Sequence, residues 1–404
     1  MHWFYWLIPA TFFVYAFFQR VAPSVLVSEL MRDFNITGAT IGNISAFYYY
    51  TYAAIQVPAG LLLDRFGPKA ILGSFALICA IGSYLFASAD STFDLYVGRF
   101  LIGLGAGVSF VGTLKVADMW FSVRQFSYIS GLTFSLGLVG GLMGQAPLVA
   151  LVSQFGWRRT MESATVLVLA LSIFIVFFVK DNKTRRGSRP KGIVVWRNLI
   201  SVLRTTQIWI IAISGGGMAA IITSFTGLWI VPFLIEAKEI SKSVSASLAS
   251  IIFLGTMIGA PLAGLFSGYF KQHKPIFLFA TWLVFSDIIL IVYVDFSVSW
   301  EFYTLLFSLG LGLGCVVTIY SIARTYSPPG AEGTTIAFVN MLVIGLGAAF
   351  QPIIGFLLDF YWAGNLLDGA RIYTIDAYLI AFGSLVIVSF STLLFGMMIR
   401  ETRL

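Results

Sequence analysis

The chain has 404 residues, of which 58% are hydrophobic, 16% aromatic and only 11% charged. Soluble domains carry roughly 25% charged residues, so this balance excludes a soluble globular protein and makes nucleic acid an unsuitable partner for the net charge of +7. The two cysteines, Cys79 and Cys315, fall in separate apolar stretches, which excludes a disulfide framework and a cysteine-based metal site.

A helix needs about 20 apolar residues to cross ~30 Å of hydrocarbon. Twelve such stretches follow in chain order: 4–29, 38–63, 69–89, 93–121, 126–152, 157–179, 206–235, 244–270, 275–295, 301–326, 332–359 and 373–399. The expected fold is therefore an all-α integral membrane protein of twelve transmembrane helices embedded in a lipid bilayer. The first stretch lacks a basic start and runs far past a signal-peptide core, so no cleavable leader is expected. With short loops, this points to the cell inner membrane.

Loop charge sets the orientation. The even-numbered connections, the central loop and the C-terminus hold sixteen basic residues; the opposite loops hold six. The positive-inside rule then puts both termini in the cytoplasm.

The first stretch also carries an anomaly, FFVYAFFQRVAPSVLV, in which Gln19 and Arg20 interrupt an aromatic helix. An arginine at membrane depth costs at least ~2.5 kcal/mol and is expected to face a watery cavity or an acid from another helix. In the second stretch Tyr48, Tyr52 and Gln56 share one helix face. They can line a polar cavity beside Arg20 or simply pack. Lys115 adds a second cation near the end of the fourth stretch, unless it pairs with Asp118 one turn away. Gln145, Asn340 and Gln351 serve equally as solute ligands or as glue between helices.

The sequence repeats itself. GLLLDRFGPK at Gly60 returns as GLFSGYFKQHK at Gly264, GLGAG at Gly103 as GLGLG at Gly310, and Gln145-Ala-Pro147 as Gln351-Pro352, at offsets of 204, 207 and 205. This predicts two pseudo-symmetric six-helix bundles, residues 1–179 and 206–404, joined by a basic cytoplasmic linker at 180–205. A solute site near the midplane between such repeats is the pattern of secondary transporters.

The loop signature Gly60-Leu-Leu-Leu-Asp64-Arg65-Phe-Gly67-Pro-Lys69, the stretch Arg99-Phe-Leu-Ile-Gly103-Leu-Gly105-Ala-Gly107, the link Asp118-Met-Trp-Phe-Ser-Val-Arg124 and GWRRTM at Gly156 together resemble the major facilitator superfamily (MFS). The resemblance implies transport by alternating access, a monomer, and a gating cluster of Asp64, Arg65, Lys69, Arg99, Asp118 and Arg124, with Arg99 part of the scaffold or of a proton path. The alternative for the charged loop residues is a set of solvated, topology-fixing charges. The Gly-Pro core of many drug antiporters in that superfamily is missing from the fifth stretch, which argues against their role.

A fixed guanidinium in a polar-aromatic cavity favours a carboxylate, which it matches with two hydrogen bonds. The expected function is secondary active transport of a small carboxylate-bearing solute: an organic anion or sugar acid, an amino acid or a short peptide. Family habit favours symport with protons over facilitated diffusion or exchange. An exporter of hydrophobic compounds is the alternative. No nucleophile–base–acid set or metal-binding pattern is present, so neither an enzyme, a metal site nor a cofactor is expected. Rings of like residues that would line a channel are also missing.

Overall fold

A computed structural model describes residues 2–181 and 192–400. The linker residues Lys183, Arg185, Arg186, Arg189 and Lys191 and the C-terminal Arg403 lie outside them, as does the side chain of Arg124. The chain divides into two compact units, Met1–Ile36 with Ile44–Arg189 and Thr37–Asn43 with Pro190–Leu404.

Unit 1 contains α1 (His2–Val21), α2 (Pro23–Phe34), all but the start of α3 (Gly38–Phe66), α4 (Pro68–Ala87), α5 (Thr92–Ala106), α6 (Ser109–Trp120), α7 (Val123–Met143), α8 (Ala146–Phe155) and α9 (Trp157–Phe178). Unit 2 takes the start of α3 and then α10 (Gly192–Leu203), α11 (Thr206–Ala220), a π-helical stretch (Ile221–Trp229), α12 (Ile230–Glu236), α13 (Lys242–Phe270), α14 (Lys274–Tyr293) and α15 (Trp300–Gly314). A 3-10 turn (Cys315–Val317), α16 (Thr318–Thr325), α17 (Glu332–Phe360), the two-residue strands β1 (Leu366–Leu367) and β2 (Ala370–Arg371), and α18 (Ile375–Met398) complete it.

Among the described residues ten segments are long and apolar enough to span a membrane, eleven when α1 and α2, bent by 48°, are joined. The remaining expected span is α3, which at 29 residues is long enough. Its apolarity is diluted by Tyr48, Tyr49, Tyr50, Tyr52 and Gln56. Several spans are broken rather than straight. Pro23 lacks an N–H and starts α2 as the chain bends. Gly107 and Val108 separate α5 from α6, and Gly144 and Gln145 separate α7 from α8. Irregular backbone at membrane depth is tolerated only where protein or a water-filled cavity receives its polar groups.

The repeat reappears in packing. A side chain at Gly103 would collide with Tyr48 and Thr51 of α3, and one at Gly310 with Ile252 and Gly255 of α13. Each glycine therefore lets two backbones meet within its own unit, at matching repeat positions. The same comparison puts Ile252 and Thr256 of unit 2 where unit 1 has Tyr48 and Tyr52.

Gly67 shows why the loop signature needs a glycine. Its φ is +88°, and a Cβ there would strike the Asp181 carboxylate. That carboxylate accepts the Lys69 N–H at 3.0 Å, beside the N-terminus of α4, where a negative charge is favoured. Gly67→Ala is expected to cost about 1–3 kcal/mol, read as a drop of several degrees in the thermal midpoint of purified protein. An unchanged midpoint would show that the loop relaxes freely.

Candidate functional site

Arg20 lies at the end of α1, just before the bend at Pro23, and keeps partial exposure. Its guanidinium is ringed by aromatics: the carbon at its centre is 4.3 Å from the Phe17 ring centroid, 4.9 Å from Tyr52, 5.5 Å from Tyr49 and 5.8 Å from Tyr48. Such faces attract a cation through the ring quadrupole without neutralising it. Arg20 Nε has no hydrogen-bond partner.

Arg99, 1% exposed, comes from α5 to the same tyrosine, 4.9 Å from the Tyr48 ring. Its Nη1 donates to the Gln19 carbonyl at 2.7 Å and its Nη2 to the Ser45 carbonyl at 3.3 Å. The first bond has a cause in the sequence. An α-helical carbonyl takes the N–H four residues on, and four residues after Gln19 stands Pro23, which has none. Arg99 supplies the missing donor and fixes the bend that presents Arg20.

Ion pairs among the described residues include Arg32–Asp33, Lys115–Asp64, Lys238–Asp295 and Arg371–Asp359. None involves Arg20 or Arg99. Two guanidiniums thus lie 5.8 and 4.9 Å from one tyrosine ring with no described carboxylate paired to either, and the expected alternative of an acid from another helix is not what surrounds Arg20.

The other expected site residues fall into groups. Tyr48 is fully buried, its hydroxyl donates to the Ala16 carbonyl at 2.9 Å, and its ring stacks on Tyr52 at 5.9 Å. Tyr48 is therefore a wall of the Arg20 cage rather than a free donor. Gln56 lies further along α3, where its amide donates to the Gly107 carbonyl at 3.1 Å across the α5–α6 break. Gln145 Nε2 donates to Ser24 Oγ at 3.2 Å, tying the α7–α8 break to the start of α2. Its repeat partner Gln351 donates to the Thr223 carbonyl at 2.8 Å inside the π-helical stretch, while Trp229 Nε1 donates to the Gln351 carbonyl at 3.1 Å. Both glutamines secure a broken helix in their own unit, and each leaves Oε1 without a partner. Asn340 accepts from the Tyr320 hydroxyl at 2.7 Å within unit 2.

Lys115 pairs with Asp64 at 2.8 Å, not with Asp118 as its spacing suggested. The pair joins α6 to the last turn of α3, so Lys115 stands in the group expected to gate. Arg65 lies over Phe66 at 5.1 Å, and Asp118 is exposed. The Lys115 and Asp64 side chains are 26% and 42% exposed, where an ion pair contributes about 0–1 kcal/mol. Asp64→Asn is expected to move the thermal midpoint by no more than about 2–4 °C while slowing transport in proteoliposomes. Unchanged transport would remove the pair from any gate.

Sequence reasoning overlooked three acids placed by tertiary structure: Asp181 behind Gly67, Glu236 at the end of α12, and Asp359 at the end of α17. Each lies at or just beyond the edge of an apolar stretch, where composition gives no sign of what it meets.

The sequence profile of the Major Facilitator Superfamily matches residues 7–352. A "Probable sulfoacetate transporter SauU" of Cupriavidus necator is 23% identical over 274 residues, 62% of this chain. The chain spans 61% of that relative's length. The "Nitrite extrusion protein" of Bacillus subtilis is 21% identical over 347 residues, 84% of this chain and 83% of the relative. Among solved structures, a bacterial homologue of the human lysosomal transporter Spinster superposes with a TM-score of 0.74 at 16% identity, covering 98% of this chain and 96% of the other.

Proposed function

The chain belongs to the Major Facilitator Superfamily, and from that premise we propose that it carries a small carboxylate-bearing anion across a membrane by alternating access. Arg20 binds the carboxylate, and Arg99 holds Arg20 in place while adding positive charge behind it. One observation carries this reading: two guanidiniums share the Tyr48 ring, and no described carboxylate pairs with either. Uncompensated charge away from bulk water is expensive, so a solute that supplies the counter-charge is bound strongly. Arg20, which keeps partial exposure while Arg99 is buried, is the member of the pair that can receive it. The names of the sulfoacetate and nitrite relatives, both acting on anions, agree with this chemistry.

In this reading the two repeats, 1–179 and 206–404, are the moving halves and the stretch 180–205 is their tether. Both termini face the cytoplasm of a cell inner membrane, on the strength of the basic loops.

The test is a thermal-shift screen of detergent-purified protein against sugar acids, dicarboxylates, sulfonated acids, amino acids and short peptides, beside their neutral analogues, with Arg20→Gln run in parallel. Stabilisation by a carboxylate, absent with its neutral analogue and lost in the variant, is the expected result. A compound that stabilises both proteins equally would overturn the role of Arg20.

A further inference from the structure

α3 is the one described helix divided between the two units: its first residues belong to unit 2 and the remainder to unit 1. Its 29 residues, at a rise of ~1.5 Å each, put Gly38 and Asp64 roughly 40 Å apart, near opposite faces of a membrane. The Asp64 end is held by Lys115. The Gly38 end is held by a cluster inside unit 2.

Asp359, in the last turn of α17, is the centre of that cluster. Its Oδ1 accepts the Gly38 N–H at 3.0 Å, and its Oδ2 accepts the Ala39 N–H at 2.7 Å. These are first-turn amides of α3, which have no partner inside their own helix and sit at its positive pole. The Tyr373 hydroxyl donates to Asp359 Oδ1 at 2.7 Å and accepts the Gly38 N–H at 3.0 Å. Burial, with the Asp359 carboxylate beside it, holds the Tyr373 hydroxyl well above the usual tyrosine range, so it remains a protonated donor. Arg371 Nη1 reaches Asp359 at 3.1 Å, and its guanidinium stacks 4.1 Å from the Trp362 ring. The Tyr373 N–H in turn donates to Glu236 Oε2 at 2.9 Å, as does the Tyr378 hydroxyl at 3.1 Å. A side chain at Gly355 would collide with the Gly38 backbone, so the two helices meet directly beside this cluster.

We propose that Asp359 is a latch: it holds the start of α3 while access at that end is closed, and releases those amides when that end opens. A charge-assisted cap of this kind is strong but breaks without distorting either helix, because α3 and α17 keep their internal hydrogen bonds. Under alternating access the end of α3 at Asp64 closes as the end at Gly38 opens. The latch rests on the alternating-access reading but not on the identity of the solute, and its test needs no solute.

The experiment uses the full chain with Cys79→Ser and Cys315→Ser as background, reconstituted in nanodiscs. A single reporter cysteine is introduced either near the latch (Ile41→Cys) or near the opposite end of α3 (Leu63→Cys); both native side chains are buried. Labelling by a maleimide of the polar, impermeant kind reports access. Asp359→Ala removes hydrogen bonds to a charged group, and about a tenfold faster labelling at position 41 is expected from their usual strength. Labelling at position 63 should slow at the same time. Tyr373→Phe, which keeps the acid and removes one donor, should give a smaller change in the same two directions. Faster labelling at 41 with no change at 63 would reduce Asp359 to a local helix cap, and no change at either position would remove the latch. If Asp359→Ala does not fold, Tyr373→Phe decides alone.

Discussion

Arg20→Gln is expected to weaken binding of the transported carboxylate by about 3 kcal/mol, on the order of 100-fold. The size follows from what the guanidinium contributes. It offers two parallel donors to a carboxylate, in surroundings where the competing groups are aromatic faces rather than water. Glutamine keeps a polar tip but has no charge. Arg20→Lys should fall between the two, since it restores the charge but cannot form the bidentate contact. Titration calorimetry with the compound found by the thermal-shift screen gives both affinities. Lysine binding as well as arginine would mean that only the field matters, and glutamine binding as well would take Arg20 out of the site.

Arg99→Met is expected to lower stability by about 1–3 kcal/mol, because it leaves the buried Gln19 carbonyl without a donor. Methionine fills much of the space, and removing a buried charge recovers some desolvation energy, so packing loss is not the main term. The carbonyl of Gln19 is. It has lost its helical donor to Pro23, and Arg99 replaces it. This account makes a sharper claim than loss of stability. Pro23→Ala restores an N–H, so the double variant should lose less than Arg99→Met by itself, a coupling of the kind seen between residues in direct contact. The measurement is a double-variant cycle of thermal midpoints. Additive effects would show that Arg99 does not substitute for the missing amide. If the account holds, Arg99 is a positioning residue for Arg20, and its replacement weakens solute binding through the bend it secures.

The two predictions separate functions that the primary structure could not. Both arginines are visible there as charges in apolar stretches, and an arginine at membrane depth is expensive wherever it lies. Which one bonds helix carbonyls and which one keeps partial exposure depends on Pro23, three residues from Arg20, and on the approach of α5. The same holds for Lys115. One helical turn of spacing suggested Asp118, yet the lysine reaches Asp64 on α3, because side chains three residues apart on one helix compete with any acid a neighbouring helix brings closer.

Membrane class and repeat were determined by the sequence alone, for reasons that are local and additive. A bilayer demands long apolar helices, which hydropathy counts directly, and a duplicated chain keeps its glycines and prolines where two backbones must meet. Gly103 and Gly310, like Gln145 and Gln351, do the same work in each unit, so their constant offset was readable without coordinates. Tertiary structure decided the rest: the aromatic cage of Arg20, the carbonyls that bind Arg99, the Asp181 carboxylate behind Gly67, and the capture of the start of α3 by Asp359. Each joins groups far apart in the chain through directional contacts a few ångströms long. Hydropathy and spacing record what each helix is made of, whereas these contacts depend on where helices bend and which faces they turn toward one another.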